Sequence, residues 1–369
     1  MPARRKPVTS AALAEQLSAE VWRFASPADQ VISAFFKRHP QLGARDRAMM
    51  ADRIWTQLRE APTPQWIAQA WHDALGAEEA RACAEAMRVP ASMDLRVNTL
   101  LARPDQVMDA LAQDGIEAEP SGVLVEALRV SGRPMLASTN PFQRGWVEVQ
   151  DLGSQLLARL VAPKRGEFVV DFCAGAGGKT LAIGAALKNT GRIYALDISS
   201  ARLSKLKPRL ARSGLSNVWP TAISGLADER VKRLASKADA VLVDAPCSGL
   251  GTLRRNPDLK WRMTLDRVAR LTQQQIEILS AASRLVKPGG RLVYATCSPM
   301  ADETERVVDA FLQNHGTFTK QSAEQVLSAQ RIDFPQTWKP FTEQGDLRLW
   351  PHRSGTDGFF AAVMVRGAA

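Results

Sequence analysis

The spacing of hydrophobic and polar positions divides the chain into three regions. Residues 10–85 carry apolar side chains at helical spacing, with further helical stretches near 45–60 and 65–88. This pattern predicts an N-terminal helical bundle, assigned to residues 1–90. The aromatic and apolar residues spaced for one helical face are Trp22, Phe24, Val31, Phe35 and Phe36.

A shorter mixed segment follows Pro90. It begins with a strand-like stretch at 95–99 and continues with a predicted helix over 104–113. Two further strands are predicted near 115–119 and 127–130. The segment predicts a small α+β domain, assigned to residues 91–144.

From about residue 145, predicted strands alternate with predicted helices, which is typical of a parallel sheet with crossover helices. The apolar runs that predict strands lie at 168–170, 193–196, 240–243, 292–295 and 359–365. The helical stretches between them lie near 178–188, 199–213, 264–286 and 302–313. We therefore expect one doubly wound α/β domain over residues 145–369.

The distribution of charge along the chain indicates the kind of partner that the protein binds. The 369-residue chain has a formal net charge of +10, and residues 202–270 hold 15 basic against 6 acidic side chains. This concentration of positive charge favours a polyanionic partner. The basic side chains singled out are Lys205, Lys207, Arg209, Arg212, Arg254, Arg255, Lys260 and Arg262, with Trp261 among them as either a stacking platform or a core anchor.

Several classes are disfavoured by composition. No run of 18 apolar residues occurs, and the first ten residues lack an apolar signal core, so we expect a cytosolic protein without a membrane partner. Four cysteines and four histidines are scattered along the chain, which argues against a disulfide framework, a metal cluster and a histidine-centred triad.

A glycine-rich turn joins the first strand of the α/β domain to a helix, in the segment from Asp171 to Thr180. Such a turn lets a nucleotide-like cofactor approach the backbone at a helix N-terminus. A phosphate-binding P-loop is excluded because position 173 is cysteine, and the dinucleotide pattern beginning at Gly175 is met only in part. Asp197 ends the second strand, where an acidic side chain can bind ribose hydroxyls.

Two cysteines directly follow predicted strands. Cys247 lies in the stretch Asp244-Ala-Pro-Cys-Ser-Gly, and Cys297 lies in Ala-Thr-Cys-Ser-Pro. Carboxyl ends of parallel strands share one edge of a sheet, so both thiols and Cys173 should lie near Asp244 and Asp197. A lone cysteine is usually a buried apolar residue, whereas two thiols at strand ends beside a carboxylate favour nucleophilic chemistry, such as addition to pyrimidine C6.

At these residues the sequence resembles the Sun (Fmu/Nol-type) family of S-adenosylmethionine-dependent RNA cytosine-C5 methyltransferases, over roughly residues 95–366. The motifs that carry the resemblance are the 95–99 stretch, residues 149–151, the glycine turn, 197–203, both cysteine motifs, 254–258 and 357–360. The resemblance implies a class I methyltransferase, Rossmann-like doubly wound sheet preceded by an RRM-like domain. More weakly, residues 42–47 resemble a NusB-like helical RNA-binding domain.

The resemblance also implies site roles. Cys297 would be the nucleophile, Cys247 would assist release of the product, and Asp244 would hydrogen-bond the base near N3. Lys179 would line the cofactor site and reach towards the target nucleotide. The S-adenosylmethionine site would comprise Cys173, Ala174, Gly175, Ala176, Gly177, Gly178, Lys179, Asp197, Arg202 and Asp244.

The chain departs from the family pattern at two places. The usual Ala-Pro of the glycine turn is Gly175-Ala176, which loosens the turn, and the acidic residue expected beside the adenine falls near Ser224. The expected substrate is RNA, above all 16S rRNA or a ribosomal subunit precursor, bound by a monomer without a metal. The alternatives are a tRNA cytosine-C5 methyltransferase and a non-catalytic RNA-binding assembly factor.

Overall fold

A computed structural model describes residues 10–368 of the chain. They form two compact units: residues up to 90 with 252–267, and residues 91–251 with 268 onward. Within the described range, no helix is both long enough and apolar enough to cross a membrane.

The helices are α1 (Ser10–Val21), α2 (Ala28–Arg38), α3 (Ala44–Glu60), α4 (Gln65–Leu75), α5 (Ala77–Ala86), α6 (Pro104–Gln113), α7 (Asn140–Gln143), α8 (Leu152–Leu160), α9 (Gly178–Ala186), α10 (Ser200–Ser213), α11 (Glu229–Lys232), α12 (Leu259–Arg262), α13 (Leu265–Ser283), α14 (Glu305–Asn314), α15 (Ala323–Ser328) and α16 (Pro351–Ser354). The strands are β1 (Met93–Val97), β2 (Ala118–Pro120), β3 (Ala127–Val130), β4 (Val147–Val149), β5 (Phe168–Asp171), β6 (Arg192–Asp197), β7 (Val218–Ala222), β8 (Ala238–Asp244), β9 (Val286–Thr296), β10 (Phe318–Gln321), β11 (Leu347–Leu349) and β12 (Phe359–Arg366).

The first unit is built on helices α1 to α5, which confirms the predicted N-terminal helical region. Apolar stripes of these helices face one another, and Leu17, Phe35 and Leu58 are fully buried. The helix predicted over 65–88 is instead two helices, because Gly76 has a left-handed φ of +78° and separates α4 from α5.

The aromatic face predicted for the bundle is wrong at two positions. Trp22 and Phe24 lie after the end of α1, and Phe24 has a left-handed φ of +51°. Their rings pack on Trp261 of α12, with centroid distances of 5.4 Å from Trp22 and 4.9 Å from Phe24. Trp261 is therefore a packing residue of this unit, which favours the core-anchor alternative.

Segment 252–267 also caps two helices of the first unit. The Asp258 carboxylate accepts the Ala28 N–H at 3.1 Å, at the first residue of α2. Lys260 Nζ donates to the Ala61 carbonyl at 2.7 Å, at the end of α3. The segment is thus held to the helices by both polar and aromatic contacts.

The second unit contains a small antiparallel sheet with the order β2-β3-β1-β4. Helix α6 spans the residues predicted for it, and β3 matches the predicted strand, while the strand predicted near 115–119 lies at β2 because Gly115 forms a turn with φ +72°. The fourth strand, β4, lies beyond residue 144. The domain boundaries drawn from the sequence stay predictions.

The large sheet of this unit has the order β10-β12-β9-β8-β5-β6-β7. Neighbours from β9 to β7 are parallel, whereas β12 is antiparallel to β9 and β10. Helices α8, α9 and α10 cover one face and α13 and α14 cover the other, as their buried residues in two separate apolar clusters show. This confirms the doubly wound, Rossmann-like sheet.

Candidate active site

The glycine turn connects β5 to α9 through two left-handed residues. Gly175 has φ +54° and Gly177, the N-cap of α9, has φ +80°. A Cβ at Gly177 would collide with the Leu206 side chain, so α10 packs against the turn only because this position is glycine. The Gly175 N–H donates to Asp197 Oδ2 at 2.8 Å, which ties the turn to the end of β6.

Arg209 of α10 also holds the glycine turn in place. Arg209 of α10 donates to the Ala176 carbonyl at 2.7 Å, and its guanidinium also pairs with the Glu148 carboxylate at 2.9 Å. Arg212 binds the same carboxylate at 2.7 Å. These contacts hold the turn in place where the sequence departs from the family's usual Ala-Pro.

Asp197 is buried at the end of β6 and its two carboxylate oxygens face different donors. Besides the contact with Gly175, Oδ1 accepts the Ser199 N–H at 2.8 Å, and the Arg202 guanidinium lies 3.6 Å from Oδ2. The carboxylate is therefore fixed in place rather than free to rotate, which suits recognition of a ligand with vicinal hydroxyls.

The catalytic residues predicted from the sequence come together at the carboxyl ends of β8 and β9. Lys179 of α9 donates to Asp244 Oδ2 at 2.7 Å, and the Lys179 side chain is largely buried. Cys247 Sγ lies 3.3 Å from Cys297 Sγ. The parallel pairing of Asp244 with Ala295 places the two cysteine loops side by side, as the sequence predicted.

The local charges distinguish these groups. Burial lowers the pKa of Lys179, but the Asp244 carboxylate more than offsets this and raises that pKa above its ordinary value, so the lysine is a cation at neutral pH. The hydrogen bond with Cys297 and burial raise the pKa of the Cys247 thiol. Burial likewise raises the pKa of Cys173, so the structure favours neutral thiols at these two positions.

A cavity of about 640 Å³ opens at this edge of the sheet. Six residues predicted from the sequence contribute to its walls: Cys173, Asp197, Arg202, Asp244, Cys247 and Cys297. Lys179 is joined to the cavity through Asp244. The residues from Ala174 to Gly178 shape the adjoining turn and are not among the wall residues.

The sequence assigned no role to several of the other wall residues. Ile198, Ile223 and Ile278 form apolar surfaces, and Gln274 and Glu277 of α13 contribute polar groups. The positions of Gln274, Glu277 and Ile278 depend on how α13 packs on the sheet, and no local motif marks these residues.

The expected acidic contact near Ser224 takes a different form. The Asp228 carboxylate accepts the Ser224 N–H at 2.7 Å and the Ser224 hydroxyl at 3.0 Å, and it also pairs with Arg230 at 2.7 Å. Ser224 therefore lines the cavity here, and Asp228, which does not line it, holds Ser224 in place through these hydrogen bonds.

Much of the positive charge counted along residues 202–270 is used inside the protein. Arg209, Arg212, Arg254, Lys260 and Arg262 bind carboxylates or backbone carbonyls. These five side chains are therefore engaged in contacts within the protein. Lys205 and Lys207 of α10 are exposed.

The cavity fits S-adenosylmethionine by its chemistry. Its isoleucine side chains suit the apolar faces of an adenine ring, and the fixed Asp197 carboxylate suits the two hydroxyls of a ribose. The negative charges of Asp197 and Asp244, at the ends of β6 and β8, suit a cationic sulfonium. Among residues 10–368, no group of three or more His, Cys, Asp or Glu side chains is arranged to hold a metal ion.

Strand order, glycine turn and cavity define an S-adenosylmethionine-dependent methyltransferase of the Rossmann-like class. Residues 158–365 match the family model described as 16S rRNA methyltransferase RsmB/F, and residues 63–135 match the ferredoxin-like domain of RsmF/B-like methyltransferases. The chain belongs to the RsmB/F family, which confirms the resemblance to Sun-type enzymes. The ferredoxin-like match begins within the residues of the N-terminal helices.

Individual relatives agree with this assignment. The chain is 37% identical to the probable ribosomal RNA small subunit methyltransferase B of Bacillus subtilis, over 85% of this chain and 68% of that protein. It is 35% identical to the ribosomal RNA small subunit methyltransferase B of Yersinia pseudotuberculosis, over 74% of this chain and 59% of that protein. The crystal structure of NSun6 from Pyrococcus horikoshii with SFG has the same fold, with a TM-score of 0.72 and 22% identity over 83% of this chain and 99% of that one.

Proposed function

We propose that this protein transfers the methyl group of S-adenosylmethionine to C5 of a cytosine in 16S rRNA, through a covalent bond between Cys297 Sγ and C6 of the base. The observation that carries the proposal is the pair of thiols 3.3 Å apart, which line the cavity together with Asp244 of the Lys179–Asp244 ion pair. The names of the Bacillus and Yersinia relatives support rRNA as the substrate.

Cys297 begins the reaction as the nucleophile. The Cys297 thiol loses its proton to solvent and the thiolate forms a bond to C6. The C5–C6 π electrons move towards N3, which takes up a proton that the Asp244 carboxylate accepts in a hydrogen bond. The neighbouring Lys179 cation, held at 2.7 Å from Asp244, stabilises the negative charge that develops on the ring. S-adenosylmethionine, when bound, supplies an electrophilic methyl group that C5 attacks.

Cys247 acts in the second half of the reaction. A base removes the C5 proton, the C5–C6 double bond forms again, and the bond between Cys297 Sγ and C6 breaks. The raised pKa of Cys247 keeps its thiol protonated beside the departing sulfur, so it can donate a hydrogen bond to the leaving thiolate.

The glycine turn and the strand ends would hold the cofactor. Of the residues that line the cavity, Asp197 would bind the ribose, and Cys173, Arg202 and Asp244 would contact the rest of the cofactor. Residues Ala174 to Lys179, in the adjoining turn and at the N-terminus of α9, would bind its amino acid portion.

The RNA is bound around an unpaired or flipped cytosine, since stacking in a duplex hides C5 and C6 from both the thiol and the methyl donor. Lys205 and Lys207, which are exposed, supply contacts to the phosphate backbone. The monomeric state and the cytosolic location stay predictions.

Three cysteine variants test the proposal. Cys297→Ala should abolish methyl transfer while RNA binding is kept, and Cys247→Ala should accumulate a protein–RNA adduct that survives denaturation. Cys83→Ala, which alters a buried cysteine of the helical unit, is the matched control and should retain turnover. Methyl transfer by the Cys297 variant would overturn the nucleophile assignment.

Bisulfite sequencing of total RNA from cells with and without the gene identifies the substrate. Loss of protection at one 16S rRNA cytosine supports the proposal. Loss at a tRNA site alone would replace rRNA by tRNA, and no loss at any site, with no cofactor binding by calorimetry, would favour the assembly-factor alternative.

A further inference from the structure

A buried carboxylate lies directly behind the two active-site cysteines. Glu303 has no exposed surface, and it ends a short turn between β9 and α14. None of the ion pairs formed within residues 10–368 includes it. An isolated buried carboxylate is costly, so the groups that surround it must compensate by hydrogen bonding.

The hydrogen bonds of Glu303 reach both cysteine loops. Oε1 accepts the Ser248 N–H at 2.8 Å, and Oε2 accepts the Ser298 hydroxyl at 2.5 Å. Ser248 directly follows Cys247, and Ser298 directly follows Cys297. One side chain therefore binds the residue next to each thiol.

Gln275 of α13 extends this connection to the other side of Cys247. Its Nε2 donates to Glu303 Oε1 at 3.0 Å and to the Pro246 carbonyl at 2.9 Å. The Tyr294 hydroxyl donates to the Glu303 carbonyl at 2.7 Å and so fixes the backbone that carries the carboxylate. Cys247 is held through both of its chain neighbours.

A carboxylate at position 303 satisfies every donor in this hydrogen-bond pattern. The Ser298 oxygen already accepts from the Met300 N–H at 3.1 Å and from the Ser248 hydroxyl at 3.2 Å, so its own proton must be donated to Glu303. Every group facing the Glu303 oxygens is thus a donor. A glutamine would turn an N–H group towards one of these donors and leave a hydrogen bond unmade.

We infer that Glu303 is a positioning residue that sets the separation of the Cys247 and Cys297 thiols by holding the two cysteine loops together. This inference rests on the proposed function for its effect on catalysis, since Glu303 acts through the cysteines. Its effect on the spacing of the sulfurs can be measured without RNA or cofactor.

Phenylarsine oxide reports that spacing directly. Its arsenic forms two As–S bonds with a pair of adjacent thiols and releases one water molecule, so binding needs both sulfurs within reach of one atom. Wild-type protein should bind one equivalent with loss of two titratable thiols, and Cys247→Ala should abolish this binding. Glu303→Gln should weaken it roughly tenfold, which corresponds to about 1.4 kcal/mol.

A second variant and a matched control keep the test sharp. Asp346→Asn removes another buried carboxylate of the same unit, one that pairs with Lys320, and it should leave arsenical affinity unchanged. Among the hydrogen bonds of Glu303, Ser298→Ala removes only the one that Ser298 donates. It should weaken arsenical binding while the circular dichroism spectrum stays native, so it provides the test if Glu303→Gln fails to fold. Wild-type arsenical affinity in a folded Glu303→Gln or Ser298→Ala variant would overturn the inference.

The catalytic readout separates this inference from the proposed function. In single-turnover assays, Glu303→Gln should slow breakdown of the RNA adduct while affinity for S-adenosylmethionine stays at the wild-type value. If the variant loses arsenical affinity but the wild-type protein forms no RNA adduct, the role of Glu303 in thiol spacing stands and the covalent mechanism falls.

Discussion

We expect Asp171, at the end of β5, to make the stability of the large sheet dependent on pH near neutrality. Its side chain is 1% exposed, and burial raises its pKa to about 7, although the Thr180 hydroxyl donates to Oδ2 at 2.6 Å and Lys179 opposes the rise. The carboxylates of Asp244 and Asp197 raise it further. We expect Asp171→Asn to abolish this pH dependence.

The magnitude follows from the difference between the folded and unfolded pKa. An unfolded aspartate has a pKa of 3.8, so between pH 4 and 7 the folded state binds one more proton and stability falls as pH rises. Each pH unit is worth about 1.4 kcal/mol while the folded state holds the extra proton, and half of that proton is released at pH 7. The loss is therefore about 2 kcal/mol between pH 5 and 7, and it is complete near pH 8. The free energy of unfolding of the wild type, minus that of the asparagine variant, should decrease by this amount.

Hydrogen exchange of the β5 and β8 amides measures this quantity, because it reports opening of the sheet in the unit that contains Asp171. Asp239→Asn is the control, because Asp239 accepts the Phe168 N–H at 2.7 Å and pairs with Lys287, and its pKa is lowered. The difference in unfolding free energy between the wild type and Asp239→Asn should therefore not change with pH above pH 5. Parallel pH profiles for the wild type and Asp171→Asn would refute the reasoning.

Three further predictions concern the turn and the helical unit. Gly177→Ala should lower the free energy of unfolding in urea by about 2–4 kcal/mol, because the position has a left-handed φ and the new Cβ would collide with Leu206. Gly178→Ala is the control and should lower it by less than about 1 kcal/mol, because its new Cβ would have no contact closer than 3.8 Å. Lys260→Met should destabilise the helical unit by about 1–3 kcal/mol in thermal unfolding, because two carbonyls at the end of α3 lose their donor. Trp261→Ala should lower the stability of the helical unit by roughly 3 kcal/mol in the same assay. Trp261→Phe should leave RNA affinity in filter binding unchanged, and a large loss of affinity would instead support the stacking alternative.

In the large sheet, the strands predicted from the sequence are those that are mostly buried, namely β5, β6, β8, β9 and β12. Central strands β5, β6, β8 and β9 carry unbroken apolar runs, and these are visible without any knowledge of their neighbours. Strands β7, β10 and β11 were missed because they are short or lie at the rim of the sheet. β7 contains a proline and has only one buried residue, which is typical of an edge strand and weakens its apolar signal.

Charge counts along the chain proved a poor guide to the surface. Arg209 and Arg212 both bind Glu148, which lies about 60 positions earlier in the sequence, and Lys260 binds carbonyls at the end of α3. A window of sequence cannot include partners that are so far away. Only the long-range fold separates Lys205 and Lys207, which face solvent, from the arginines that hold the glycine turn.

The cysteines and Glu303 show why one half of the site is visible in sequence and the other is not. Cys247 and Cys297 each follow an apolar run, and the rule that parallel strands end at one edge brings them together. Glu303 and Glu305 stand at the start of an amphipathic helix, where acidic residues ordinarily face solvent and favour the helix dipole. The structure instead pairs Glu305 with Arg348 and encloses Glu303 among donors from three other segments of the chain. No spacing rule predicts such convergence, and a buried carboxylate without an ion pair depends on these hydrogen bonds, so Glu303 and the two cysteine loops must be in place together.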